Sequence, residues 1–277
     1  MIKRKHSHLL ALLFLATMLG FSACEKEESD NPKEETSVIK DDALSSELFD
    51  DVFNETDQVV HNKLGSQKSR TVDTCKTVSM ELIDDTTRQI TIDFGQGNCT
   101  DMQGRTKKGK IIVTTTGRYR HKGFTRNITF ENYYVNDFKI EGAKTVINNG
   151  YNEQQKLSYS VTLENGKIIT PAGKEITKSY ERTRTWITGM ESPLWIWDDV
   201  YQVTGTAEGT NRNGVKYTRT IGDPLEVATT CRFIKSGTIE FARENKATIL
   251  VDYGEGECDA LATITVDEVT TEIQLNK

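Results

Sequence analysis

Asp93-Phe94-Gly95-Gln96-Gly97-Asn98-Cys99 and Asp252-Tyr253-Gly254-Glu255-Gly256-Glu257-Cys258 are two versions of one heptapeptide. Each follows an upstream cysteine, Cys75 or Cys231, by 24 or 27 residues. Each also ends an alternating run. Ile90, Ile92 and Phe94 alternate with Thr91 and Asp93, and Ala247, Ile249, Val251 and Tyr253 alternate with Thr248, Leu250 and Asp252. A period of two marks a pleated strand with unlike faces. Two glycines one residue apart after such a strand predict a bulge or turn at positive φ, pinned by the cysteine.

The same period runs between the two copies. It is carried by Ile111, Val113, Thr115 and Tyr119, by Ile128 and Phe130, and by Leu157, Tyr159, Val161 and Leu163. Threonine is abundant and proline rare, which suits strands with one wet face. Asn165-Gly166 and Asn213-Gly214 are two-residue hairpin signals, because both central residues of a type I′ turn need φ > 0. Asn149-Gly150, Lys122-Gly123 and Pro171-Ala-Gly173 are weaker turn signals. No helical spacing interrupts this region, so the expected fold is mainly β: an antiparallel, hairpin-built sheet, as a sandwich or extended meander. A fainter repeat joins residues 113–130, 168–186 and 203–221, each a Thr-rich strand, a Gly-containing turn and a Thr/Arg strand.

One amphipathic helix precedes the sheet, over residues 41–65. Leu44, Leu48, Val52, Val59 and Leu64, with Phe49 and Phe53 beside them, form an apolar stripe at three- to four-residue spacing. Asp41 or Asp42 supplies a start signal and Gly65 a stop. One apolar face needs cover, so the helix is expected to lie on the sheet; a partner-binding helix is the alternative.

At the start of the chain, Lys3, Arg4 and Lys5 precede an apolar run over residues 9–19. That run is shorter than the roughly 20 residues a membrane-spanning helix needs, and reads as an export signal over residues 1–23. Small residues before Cys24, in Phe21-Ser22-Ala23-Cys24, resemble a lipoprotein lipobox, although Phe21 replaces the usual Leu. The acidic residues 24–40 have little to bury and read as a solvated, disordered tether. Lipobox and acidic tether together resemble Bacteroidota-type surface lipoproteins. The resemblance implies a diacylated (palmitate-bearing) Cys24 and attachment to the outer membrane through that lipid, facing the cell surface or, alternatively, the periplasm.

Of five cysteines, Cys24 is assigned to lipidation, and four remain in an exported chain where disulfides persist. Four cysteines allow three pairings; the duplicated context selects Cys75–Cys99 and Cys231–Cys258. Each closes a loop worth about 3–4 kcal/mol in the chain-entropy model. The β domain, residues 66–277, is thus expected to carry two similar disulfide modules, about 71–130 and 200–277.

Loss of residues 1–23 turns 35 basic side chains into 32 against 41 acidic ones, a formal charge of −9. That excess argues against nucleic acid, which needs a basic footprint. A glycan or an envelope protein is the expected partner. Trp195, Trp197 and Tyr201 form an aromatic stretch in which the two tryptophans would share one strand face. They read either as core or as a stacking platform for a sugar, with Asp198 and Asp199 accepting from hydroxyls. Asp252, Glu255, Glu257 and Asp259 offer hard oxygens for calcium, without a known calcium-loop spacing. The first copy offers Asp93, Gln96, Asn98 and Asp101. His61 and His121 are the histidines beyond the leader and stand 60 residues apart. Metal clusters of the His/Cys kind, a GxSxG elbow and a P-loop are all missing, so no cofactor is expected. Arg118–Lys122 and Glu181–Arg184 read as solvated strand faces, with polyanion binding as the alternative. The leading expectation is a non-catalytic surface protein that binds a ligand. A structural or assembly lipoprotein and a hydrolase with an unrecognised carboxylate pair are the alternatives.

Overall fold

The computed structural model describes residues 32–65, 75–97, 99–101, 103–192 and 195–275. The expected leader, Cys24 and the part of the expected tether up to residue 31 lie outside these residues, as do Asn98 and Pro193. A single helix, α1 (Pro32–Leu64), leads the described chain. Fifteen strands follow, β1 (Thr77–Leu82), β2 (Thr87–Asp93), β3 (Cys99–Thr100), β4 (Thr106–Thr116), β5 (Thr125–Val135), β6 (Phe138–Tyr151), β7 (Leu157–Ile169) and β8 (Glu175–Thr188) among them. A 3₁₀ turn (Ile196–Asp198) separates these from β9 (Val200–Thr210), β10 (Lys216–Ile221), β11 (Leu225–Ala228), β12 (Ser236–Ala242), β13 (Ile249–Glu255), β14 (Leu261–Val266) and β15 (Val269–Gln274).

All strands join one antiparallel sheet, ordered β1-β2-β4-β5-β6-β7-β8-β9-β10-β12-β13-β14-β15, with β3 beside β4 and β11 bridging β9 and β12. It is the extended meander of the two expected forms. Neighbouring strands rotate by about 20–25° from one to the next, so a sheet this wide curls instead of staying flat. Here it curls around α1. Side chains from β4, β8 and β10 all reach the same helix, through Lys107, Lys178 and Arg219.

The helix is longer than its apolar stripe implied. It starts at Pro32, so residues 32–40 of the expected tether are helical, with Val38 and Ile39 fully buried. Pro32 has the fixed φ that suits a first helical residue, and Glu34 and Glu35 suit the positive end of the dipole. At the far end the Gly65 N–H donates to the His61 carbonyl at 2.8 Å. Burial is not confined to one stripe. The consecutive residues Asp51, Val52 and Phe53 are all buried, as are Asp41 with Asp42 and Ser45 with Ser46. Successive residues are 100° apart, so the sheet encloses well over half of the helix's girth.

Two hydrophobic cores lie along α1. Leu48, Phe49, Val52, Phe53, Val59 and Val60 pack on β2 and β4–β8, while Val38 and Ile39 pack on β10 and β12–β14. Between them on the helix stand Asp42 and Ser46. Asp42 meets Lys178 at 2.6 Å and Arg219 at 2.7 Å, and accepts from the Tyr217 hydroxyl at 3.0 Å. The Ser46 hydroxyl accepts from Lys178 at 2.6 Å and from Arg219 at 3.1 Å. Burial alone would raise the Asp42 carboxyl, but Arg219 and Lys178 hold it well below its ordinary value.

Arg182 and Arg184, expected on a solvated face, lie instead on the buried face of β8. That strand alternates Ile176, Lys178, Tyr180, Arg182, Arg184 and Trp186 inward. The basic side chains point in because α1 brings carboxylates to meet them. Arg118, Arg120 and Lys122 are exposed, as expected.

Turn chemistry departs from the hairpin signals in an instructive way. Asn213-Gly214 does close the β9–β10 hairpin, with Gly214 at φ 86° and its N–H donating to Asn211. Asn165-Gly166 does not turn the chain. Asn165, at φ 51°, makes a bulge inside β7, opposite a bulge at Gly142 in β6, and both neighbours go on pairing with β7 beyond it. Asn149-Gly150 is likewise a bulge, in β6. Two of the tightest hairpins use Asn136-Asp137 and Asp267-Glu268, with both residues of each pair at positive φ. Their sequences carry no glycine to announce them.

Both expected disulfides are formed, Cys75–Cys99 and Cys231–Cys258. The two modules they pin belong to one continuous sheet, near its two ends.

Removing one partner of a buried charge cluster leaves the others uncompensated, at about 3–5 kcal/mol. Asp42→Asn is expected to lower stability by that amount in urea unfolding. Glu175→Gln, which breaks the exposed 3.4 Å pair with Lys167, is expected to change it by less than about 0.5 kcal/mol. Equal effects from the two would refute the role given to Asp42.

Candidate functional site

Where the two ends of the curled sheet approach each other over α1, a cleft of about 980 Å³ remains. Its floor is the polar side of the helix: Glu47, Asp50, Asp51, Asn54, Glu55 and Gln58. These positions recur every three to four residues, so they form one stripe. One rim comes from the first disulfide module, through Lys76, Val78, Asp101 and Arg105. The other comes from residues 227–234, which include Cys231, together with Trp197, Tyr253 and Leu275.

Glu47, Asp51 and Glu55 stand one turn apart and are gripped from opposite rims. Arg232, beside Cys231, donates to Glu47 at 2.7 Å. Arg105 meets Asp51 at 2.5 Å, Lys76 meets Glu55 at 2.6 Å, and Lys107 lies 3.1 Å from Asp51 and 3.0 Å from Glu55. The stripe is therefore a seam that ties both disulfide modules to the helix. Burial outweighs Arg232 at Glu47 and raises its carboxyl. At Glu55 the balance reverses: burial opposes it, yet Lys107 and Lys76 hold the carboxyl below its ordinary value.

The inner wall of the cleft carries Arg184. Its guanidinium lies 4.1 Å from the Phe53 ring centroid and 3.9 Å from that of Tyr201, and it donates to Asn54 at 3.3 Å. Beside it Arg182 stacks 3.8 Å above Tyr180. Lys144, fully buried, donates to the Phe49 carbonyl at 2.6 Å. Burial, together with Arg182, Arg184 and Arg126 and against the pull of Asp50, pushes its ammonium down to about 7.

The expected aromatic platform is dispersed. Gly189, at φ 97°, ends the run of β8; a Cβ there would lie 2.2 Å from an Asp199 oxygen. The chain then turns through Ser192, so Trp195 and Trp197 sit on a loop and a 3₁₀ turn and share no strand face. Trp195 is 58% exposed and does not line the cleft, whereas Trp197 does. Tyr201 is core: it stacks on Trp186 with centroids 5.8 Å apart. Asp199 accepts from the Trp186 indole N–H and the Tyr201 hydroxyl, both at 3.1 Å, so it faces inward. Burial, with Asp57 and Asp198 near, raises its carboxyl to about 7 despite those donors. Asp198 accepts from Ser192.

The repeated heptapeptides form the same local turn. Asp93 accepts from the Gly95 N–H and Asp252 from the Gly254 N–H, both at 2.8 Å, with the glycines at φ 71° and 80°. Glu255, Glu257 and Asp259 are exposed, and Asp259 accepts from the Leu261 N–H. No group of three or more His, Cys, Asp or Glu side chains placed to hold a metal ion occurs among the described residues, so the calcium set is not brought together. His61 pairs with the Tyr119 hydroxyl at 2.9 Å, and His121 is exposed. Arg105, Arg232 and the Glu47–Asp51–Glu55 stripe were not singled out by sequence, and Arg184 was read only as part of a run on a solvated face or as a polyanion contact. No protein-family model, curated protein or solved structure matches the chain.

The two groups pushed to about 7 give opposite pH signatures. Between about 7 and 10.5 the unfolded chain keeps the Lys144 proton that the folded chain has released, so stability rises with pH there. Between 3.8 and about 7 the folded chain holds the Asp199 proton that the unfolded chain has lost, so stability falls as pH rises. Denaturant midpoints across pH are expected to show the alkaline rise flattened in Lys144→Met and the acid-side fall flattened in Asp199→Asn. Unchanged slopes would reject those assignments.

Proposed function

We propose that this chain is a non-catalytic, lipid-anchored envelope protein that binds a glycan in the cleft. The observation that carries the reading is the cleft's make-up. Its floor is a stripe of amide and carboxylate side chains, Asn54 and Gln58 among them, and one rim carries the half-buried aromatics Trp197 and Phe233. A sugar ring has the matching character, with C–H faces that stack on aromatic rings and hydroxyls that hydrogen-bond to amides. The volume is at the upper end of the roughly 300–1,000 Å³ usual for small-molecule sites, room for several sugar units. Acylation at Cys24 places the domain close to the outer membrane.

Of the carboxylates on the floor, Glu47, Asp51 and Glu55 are engaged by cations from the rims, which supports binding over hydrolysis. A second reading, an assembly role, rests on a different observation. β1 is an open sheet edge whose exposed residues include Met80 and Leu82, followed by Ile83, and such an edge can pair with a strand of another envelope protein.

A soluble form starting at Glu25, disulfides intact, is expected to bind members of a panel of host and microbial polysaccharides saturably without releasing new reducing ends. Trp197→Ala is expected to weaken that binding roughly tenfold or more, the scale of one well-packed aromatic anchor, without unfolding the chain. Trp195→Ala is expected to leave it unchanged. Silence across the panel, or an equal loss in both variants, would overturn the cleft reading. Partner capture in cells that is lost on Leu82→Lys would then favour the edge.

A further inference from the structure

Charge around the inner wall of the cleft is unbalanced: Arg184 lines the cleft, and three further cations are buried about it. Four cations gather on the Phe53 and Tyr180 rings: Arg126 at 4.9 Å, Lys144 at 5.4 Å and Arg184 at 4.1 Å from Phe53, and Arg182 at 3.8 Å from Tyr180. All four are buried. Asp57 pairs with Arg126 at 2.7 Å, which leaves Asp50 as the carboxylate for the other three. Asp50 stands off, with a single oxygen 3.5 Å from Arg182 and 4.0 Å from Arg184. The Nε atoms of Arg182 and Arg184, Nη2 of Arg126 and the Tyr180 hydroxyl find no hydrogen-bond partner among the described residues. Elsewhere in the cleft the carboxylates are closely held, Glu47 by Arg232, Asp51 by Arg105 and Glu55 by Lys76.

Buried guanidinium groups without full partners are costly, and stacking on rings fixes their planes where a bidentate acceptor would meet them. The approach is open. Arg184, Asp50, Asn54 and Ser46 all line the cleft, and the Asp50 side chain is 31% exposed, free to swing outward as another anion arrives. We propose that Arg184, with the positive charge of Arg182 behind it, makes the wall an anion subsite, and that the glycan bound in the cleft is acidic, presenting a carboxylate or sulfate group to it. The glycan half rests on the binding reading above, whereas the anion half stands on the wall itself.

Two measurements separate the halves. The first is thermal unfolding of the soluble chain, disulfides intact, in sodium sulfate against sodium chloride of equal ionic strength. An anion that binds only the folded state raises Tm by mass action. The sulfate-specific rise is expected in the wild type, larger in Asp50→Asn, and smaller in Arg184→Gln. Asp50→Asn keeps the test valid should Arg184→Gln fail to fold. Equal rises in wild type and Asp50→Asn overturn the subsite, with an adventitious ion only as the reading. The second pairs uronate-bearing and sulfated oligosaccharides with their methyl-esterified and desulfated counterparts. The acidic member is expected to bind roughly tenfold or more tighter, the scale of one charge-assisted hydrogen bond. Asp50→Asn widens that ratio. Binding of both members with equal affinity overturns the acidic class and leaves the cleft reading in place. No glycan binding at all, with the sulfate response intact, overturns the glycan reading and retains the subsite.

Discussion

Everything else in this molecule depends on a carboxylate buried where two hydrophobic cores meet. Asp42, with Lys178 and Arg219 on its two oxygens, stands between the core built on Val38 and Ile39 and the core built on residues 48–60 of α1. Attraction and specificity come from different sources here. Eight buried apolar side chains on the helix, at about 1.5–3 kcal/mol each, supply the drive to cover it, as an upper bound. The ion cluster adds little net energy, because desolvating each charge costs several kcal/mol. Its effect is on register. Sliding α1 by one turn, about 5.4 Å, would still bury apolar surface but would leave Asp42, Lys178 and Arg219 without partners. The correct seat is selected by what the wrong seats leave unpaired.

The sheet could be read from sequence because its signals are local. Alternation at residues 90–94 and 247–253, the Thr-rich strands and the duplicated cysteine context each reported on one element, and the antiparallel meander and both disulfides follow from them. What the sequence hid was which side faced in. On β8 the inward residues include Lys178, Arg182 and Arg184, and a period-two pattern of basic residues and threonines looks like a wet face when nothing says that a helix supplies the counter-charges. The same blindness shortened the helix, since acidic residues 34 and 35 look solvated until Arg243 is known to lie near them. The faint repeat did carry a usable signal. Thr125-Arg126, Thr183-Arg184 and Thr218-Arg219 occupy its three copies, and each arginine is buried against α1.

The cleft was hidden for a related reason. It is made of positions that no local pattern connects: a helical stripe at 47, 51 and 55, a loop near Cys231 and a turn near Cys99. The tryptophan cluster reaches the cleft through one residue only. Its members then divided by backbone geometry, Tyr201 into the core, Trp195 to solvent and Trp197 to the cleft. Gly189 decides that division, because its positive φ turns the chain away from β8 before a second strand face can form.

The cleft also follows from how such a chain must close. Hairpin pairing is local and can proceed strand by strand, whereas the helix finds its partners across the sequence: Asp42 and Arg219 are 177 residues apart. Non-local contacts of that kind form late, since the loop entropy must be overcome before they contribute. In the folded chain the polar stripe of the helix faces the gap between two edges that do not pair. The disulfides hold the rims of that gap, and the salt bridges from Arg232, Arg105 and Lys76 set its width. Asp51 and Glu55 are buried along that gap and are met by Arg105, Lys107 and Lys76 as Asp42 is by Lys178 and Arg219, so ion pairs close the seam where backbone pairing between the two edges is missing.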